Sequence, residues 1–262
     1  MKTFTKESLI LEFKKIREMG WIENRRHGNH GGVGNTIEDI LGIEENNLPI
    51  PNAAEWELKC QRKVRGKGSL TTLLHCEPSP TAMKLVSSIL LPKYGWKHKE
   101  AGKKYPATEM SFRQTICCPV HSDRGFQVEL DKRDRKIMIS FDYKKVDERH
   151  SAWLSSVDKR IGLKQLNPQP YWGFDDIFHK IGSKLHNCFY MEADVKKVGT
   201  KEFFKYEKIY KLSGLSLPRF IECLDEGLVL VDFDARTGHN HGTKFRFRNS
   251  QLPKLYNEVE EI

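Results

Sequence analysis

Segments whose apolar residues alternate at every second position come in neighbouring pairs along this chain. They are interleaved with segments whose apolar residues recur every third or fourth position. Residues 126–130 and 137–143 alternate and are separated only by the charged stretch 131–136, too short for a crossover helix, so they read as an antiparallel hairpin. Residues 188–195 and 203–210 repeat the arrangement. Helical spacing is carried by Leu9, Phe13 and Ile16, with Ile10 and Leu11 beside them and Thr5 as N-cap. It recurs in Phe174, Ile177, Phe178, Ile181 and Leu185, with Asp175 and Asp176 in the first turn. Asn35 and Glu38 form a capping box for a short helix closed by Gly42; further helices are expected at 81–91, at 218–226 and from about Gln251. Strands are expected at 56–60, 70–74 and 228–233. Helices mixed with antiparallel pairs specify an α+β fold, a mixed sheet flanked by helices.

The 262 residues, 38% of them hydrophobic, suffice for one large domain or two lobes. No apolar run approaches the roughly 20 residues of a membrane span, and residues 1–7 hold no apolar signal segment, so the expected location is the cytoplasm. The six cysteines form no C-x-x-C pair, and reduced thiols are expected. Lys and Arg outnumber Asp and Glu by 44 to 35, and a net charge of +9 favours a polyanionic partner. The positive residues cluster at Arg62, Lys63, Arg65 and Lys67, at Lys97, Lys99, Lys103 and Lys104, and at Lys244, Arg246 and Arg248.

Metal-assisted phosphodiester hydrolysis needs carboxylates to hold the ion, a water nucleophile and a cation near the phosphate. Glu57 and Lys59 stand two apart on the strand expected at 56–60, their Cα atoms roughly 6.6 Å apart on one face. Glu57 can hold the ion while Lys59 reaches the water or the phosphate. The intervening Leu58 points into the core and offers its carbonyl as a further ligand. Oxygen ligands with retained waters suit Mg2+. Taken alone, an E-x-K reads equally well as a surface ion pair on an edge strand. Here it follows a capped helix and the extended turn around Pro49 and Pro51, and it precedes a basic run.

The stretch 28–59 reads G-N-H-G-G-V-G-N-T-I-E-D-I-L-G-I-E-E-N-N-L-P-I-P-N-A-A-E-W-E-L-K. It resembles the MvaI and BcnI family of restriction endonucleases, relatives of the mismatch-repair nickase MutH. The shared landmarks are the glycine-rich loop, the short helix, the E-N-N-L stretch and the E-x-K. In the same order follow S-L-T-T-L-L-H at 69–75, Y-W-G-F-D at 171–175 and H-N-H-G-T-K-F-R at 239–246. The resemblance implies the PD-(D/E)xK nuclease fold, with two lobes flanking a DNA-binding cleft. We place a catalytic lobe at about residues 1–165 and a recognition lobe at about 166–250. It also implies a monomeric, Mg2+-dependent enzyme cutting double-stranded DNA at a short, near-palindromic, C/G-rich site, paired with a companion DNA methyltransferase. Glu57 becomes the metal ligand and Lys59 the catalytic lysine.

The family's second metal ligand is an Asp five residues before the Glu, and here that position is Asn52. An amide is a weaker ligand for a hard cation than a carboxylate. Three explanations stand open. Asn52 is an engineered substitution that traps a DNA complex; or it is natural and Glu55 or Glu38 supplies the missing charge; or the protein binds DNA without cutting. A MutH-like nickase is a further alternative. For reading DNA, the resemblance points to the loop carrying His239, Asn240 and His241, which can donate to or pair with base edges. Lys244, Arg246 and Arg248 alternate on the strand that follows, and arginine is the usual bidentate reader of guanine. His75 matches a BcnI histidine whose implied contact is the central base pair. Arg62, Lys63 and Arg65 are candidates for phosphate contacts. The glycines at 28–34 lack a preceding strand and a G-K-[ST] ending, which excludes a P-loop.

Overall fold

The computed structural model describes residues 4–26, 31–43, 55–63 and 70–262. They divide into two compact units that interleave along the chain, one of residues 1–69, 179–220 and 249–262, the other of residues 70–178 and 221–248. The architecture is α+β. Among the described residues no helix is long and apolar enough to cross a membrane.

In the first unit the described strands form a five-stranded sheet. Strand Lys201–Ser213 pairs antiparallel with Ile22–Glu23, with Glu258–Glu261 and with Cys188–Val198, and the last of these pairs in parallel with Glu57–Arg62. Helix Lys6–Glu18 is opened by a reciprocal cap between Thr5 and Ser8. It buries Leu9, Phe13 and Ile16 but leaves Leu11 exposed, because Leu11 falls about 200° around the helix from Leu9. Helix Gly32–Leu41 buries Val33, Ile37 and Leu41 in the same core, against Trp56, Leu58, Phe189 and Met191. Each of these large apolar side chains contributes about 1.5–3 kcal/mol by leaving water. The helix starts three residues before the expected Asn35 cap. Gly31 is the cap, Thr36 bonds back to the Gly32 carbonyl at 2.7 Å, and the buried Tyr206 hydroxyl donates to the Val33 carbonyl at 2.7 Å. Gly42 closes the helix in the left-handed conformation, as expected.

The second unit holds a six-stranded sheet with order Leu70–His75, Lys244–Arg248, Val229–Arg236, Met110–Ile116, Trp96–Lys97, and with His239–Asn240 paired to Val229–Arg236. Arg124–Asp131, Lys136–Val146 and Tyr171–Gly173 form a separate three-stranded sheet, and its first two strands are the expected hairpin. Phe245 and Phe247 are fully buried while Lys244, Arg246 and Arg248 alternate onto the other face. Gly227 turns the chain into strand Val229–Arg236 with φ +71°, and a Cβ there would stand 2.0 Å from the Cys118 carbonyl oxygen. Only glycine fits such an approach.

Two expected helices are otherwise. The span 81–91 is broken into a 3-10 turn Thr81–Met83, a π turn Val86–Leu90 and an α turn Leu91–Tyr94. Lys84 sits in left-handed conformation after the first turn, and Pro92 cannot donate back along a continuous helix, so it opens a new turn instead. The chain after Gln251 is a 3-10 segment Asn249–Leu255 with Pro253 inside it, followed by the edge strand Glu258–Glu261. Pro253 removes the backbone donor an α-helix needs there.

Candidate functional site

Strand Glu57–Arg62 lies at one side of its sheet, with Glu57 beside Cys188, Lys59 beside Tyr190 and Gln61 beside Glu192. Strand alternation sends Leu58 and Cys60 to the helix-covered core and Glu57, Lys59 and Gln61 to the opposite face. Glu57 is nevertheless only 1% exposed. Its Oε1 accepts from Lys59 Nζ at 2.5 Å and faces Lys184 Nζ at 3.7 Å. Its Oε2 is buried without a hydrogen-bond partner. A desolvated carboxylate oxygen left unpaired is costly, and such an atom in a folded protein marks a place kept for a ligand. Burial pushes the thiol of neighbouring Cys188 up to about 12, so it stays protonated at neutral pH and the face offers oxygen, not thiolate. An orphaned buried carboxylate oxygen among hard oxygen donors fits a divalent cation of the Mg2+ type. Among the described residues no three His, Cys, Asp or Glu side chains gather into a ready metal cluster.

Farther along the same face, Glu192 accepts from the Tyr190 hydroxyl at 3.2 Å and from Gln61 Nε2 at 3.5 Å. Burial and the Glu192 charge push the Tyr190 phenol well up, so it acts as a fixed donor. Glu38 is half-buried on helix Gly32–Leu41 and its charge is felt at Cys60, on the other face of the strand from Glu57. Glu55 is exposed in the turn before the strand and lines a depression with Thr5, Lys6 and Glu7. Asn52 and Arg65 lie outside the described residues. Arg62 is committed to a bidentate pair with Glu202 at 2.6 and 2.9 Å, and lies over the Phe204 ring. Lys63 is exposed and stands 3.5 Å from Asp194.

In the second unit, strand Lys244–Arg248 pairs with Leu70–His75 so that Lys244 lies beside His75. The segment carrying His239, Asn240 and His241 is brought back onto the same region. The His239 and His241 rings meet edge to face with centroids 4.2 Å apart, and Gly242 follows at φ +83°. Glu77 braces the loop. Its Oε1 accepts from the Thr243 amide at 2.8 Å and from Asn240 Nδ2 at 3.3 Å, and its Oε2 from the Thr243 hydroxyl at 3.3 Å. Asn240 Oδ1 in turn accepts from the Gly242 amide at 3.0 Å. Burial and the Lys244 charge lower the His75 pKa against an opposing pull from Glu77, which favours the neutral ring. Arg246 is held by Asp232 at 3.0 Å and by the Leu70 carbonyl at 3.3 Å, while Arg248 shares its face.

Comparison with known proteins accounts for this pairing of an acidic strand with a histidine loop. The model of the MvaI/BcnI restriction endonuclease family matches residues 10–256. The chain belongs to this family. Among solved structures, the restriction endonuclease MvaI in complex with its cognate DNA is similar at a TM-score of 0.72 and 22% identity, over 99% of each chain. MvaI in the absence of DNA is similar at 0.54 and 20%, over 100% of each. Comparison with curated proteins finds no match. The fold is therefore restriction-endonuclease-like, and the family is one of nucleases that bind DNA.

Sequence reasoning missed Lys184, Glu77 and Asp232. Lys184 had a legible signal, because it falls three residues after Ile181 and seven after Ile177, beside the buried stripe of helix Phe174–Leu185. A lysine there is buried in part unless it has an anionic partner, and Glu57 is that partner. Glu77 had none. It precedes Pro78 in an irregular stretch, and its partners lie more than 160 residues away.

Proposed function

We propose that this protein is a Mg2+-dependent, site-specific endonuclease of a restriction–modification system, cutting double-stranded DNA at a short, near-palindromic, C/G-rich sequence. The observation that carries the reading is Glu57, buried, with one oxygen bound by Lys59 and the other unpaired. In this reading Glu57 holds the ion, with the Leu58 carbonyl and the residue at position 52 completing the ligand set. Bound Mg2+ supplies charge for the scissile phosphate and acidifies a water. Lys59 orients the attacking water or a phosphate oxygen at the point where negative charge develops. The buried setting strengthens that interaction relative to water. The unit carrying Glu57 is assigned to catalysis and the unit carrying His75, His239, Asn240, His241, Lys244 and Arg248 to reading bases, with Arg246, Lys63 and Arg62 at its margins. A monomer in the cytoplasm, protected by a companion methyltransferase, completes the proposal.

Asn52 favours a second reading, a sequence-specific DNA-binding protein on a nuclease scaffold. The deciding experiment is cleavage of mixed plasmid and phage DNA in Mg2+ by this chain, by Asn52→Asp and by Glu57→Gln. Discrete fragments from Asn52→Asp alone identify a restriction enzyme with a weakened metal site. Fragments from both this chain and Asn52→Asp, but none from Glu57→Gln, show that the site functions with an amide at 52. Nicks in one strand return the MutH-like alternative. Cutting by none, with salt-sensitive binding intact in Glu57→Gln, overturns the nuclease reading.

A further inference from the structure

The helix Phe174–Leu185 delivers a second lysine to the candidate site. Lys184 Nζ stands 3.7 Å from Glu57 Oε1, the same oxygen that Lys59 Nζ holds at 2.5 Å. The carboxylate is 2% exposed, and the two lysine side chains are 24% and 30% exposed. Two ammonium groups therefore face one buried carboxylate, and the local charge is positive before any divalent ion arrives. Adding a doubly charged ion at Glu57 would concentrate positive charge that one carboxylate cannot balance, more so because position 52 is an amide. Such an arrangement is complete only when an anion with several charged oxygens enters, and the scissile phosphate is such an anion.

We propose that Lys184 is a second phosphate-binding lysine of this site, resting on the nuclease reading above. Without metal, Lys184 shares Glu57 with Lys59. With metal and DNA present, Glu57 is taken by the ion and Lys184 turns to a non-bridging oxygen of the scissile or adjacent phosphate. Its charge opposes the ion in the free protein and aids the phosphate in the complex, so metal and DNA bind cooperatively through it.

The test uses the full chain and Asn52→Asp, each with Lys184→Met and Lys184→Arg, with melting temperature as the fold control. Free Mn2+ affinity is read by electron paramagnetic resonance without DNA, with Glu57→Gln confirming which site is titrated. Single-turnover plasmid cleavage in Mg2+ is read in whichever background cuts. Removing the charge in Lys184→Met is expected to tighten Mn2+ binding on the order of tenfold and to slow cleavage by at least about tenfold. Lys184→Arg is expected to stay near the parent in both. Unchanged Mn2+ affinity in a folded Lys184→Met overturns the proposal, as does unchanged cleavage. If no version cuts, the nuclease reading itself falls and the phosphate role of Lys184 with it, whatever Mn2+ shows.

Discussion

Replacing Glu77 by alanine separates specific from nonspecific DNA binding with opposite signs. Glu77 receives three hydrogen bonds from Asn240 and Thr243, and Thr243 is only 1% exposed. Removing the carboxylate strands the Thr243 amide and hydroxyl, at about 1–3 kcal/mol for each buried unsatisfied group. A loop destabilised by roughly 3 kcal/mol is in its ordered form about a hundredfold less often, and cognate affinity falls by that factor. The same substitution removes a negative charge beside His75 and Lys244, so binding to a scrambled duplex tightens by about two- to fivefold. Glu77→Gln keeps an acceptor for the Thr243 amide and is expected to retain most cognate affinity. Fluorescence anisotropy over a salt series, with the duplex mapped from cleavage fragments and a scrambled control, measures both. Equal weakening on the two duplexes would refute the brace, because it would mean that the unit as a whole had been damaged.

Two further outcomes follow from the geometry. Burial alone would raise the Glu202 carboxyl, yet hydrogen bonds from Arg62 and Asn24 hold it below its ordinary range. Its contribution is therefore complete above the ordinary carboxylate range and is lost as pH falls through the depressed folded value. Glu202→Gln should cost roughly 1–3 kcal/mol at neutral pH and flatten the acid limb of a urea-melt series; an unchanged limb would remove Glu202 from the acid response. Gly227→Ala, with φ +71° and a Cβ 2.0 Å from the Cys118 carbonyl oxygen, should lose at least about 3 kcal/mol in urea unfolding, and a loss under 1 kcal/mol would contradict the close approach.

What the sequence determined by itself is what neighbours along the chain decide. Period-2 alternation with a charged turn is enough for the hairpin of Arg124–Asp131 and Lys136–Val146, and the 3.6-residue period is enough for helix Phe174–Leu185. Thr5 and Gly42 punctuate their helices through bonds no more than a few residues long. The ordered landmarks around Glu57 and Lys59 likewise indicated the family that the comparisons found. Local pattern failed where backbone chemistry overrode it, at Pro92 and Pro253, and where a tertiary tie moved a helix start, at Val33 beneath Tyr206. The tertiary structure alone decided which charges meet. Glu57 reads as a solvent-facing strand residue, yet the fold buries it and turns Lys184 toward it from 127 residues away. Arg62 and Arg246 read as free cations, yet Glu202 and Asp232 hold them. Glu77 reads as a loop acid, yet it orders the histidine loop. Periodicity reports the face a side chain occupies, whereas burial and charge pairing depend on what another segment brings to that face, and only the folded chain contains that information.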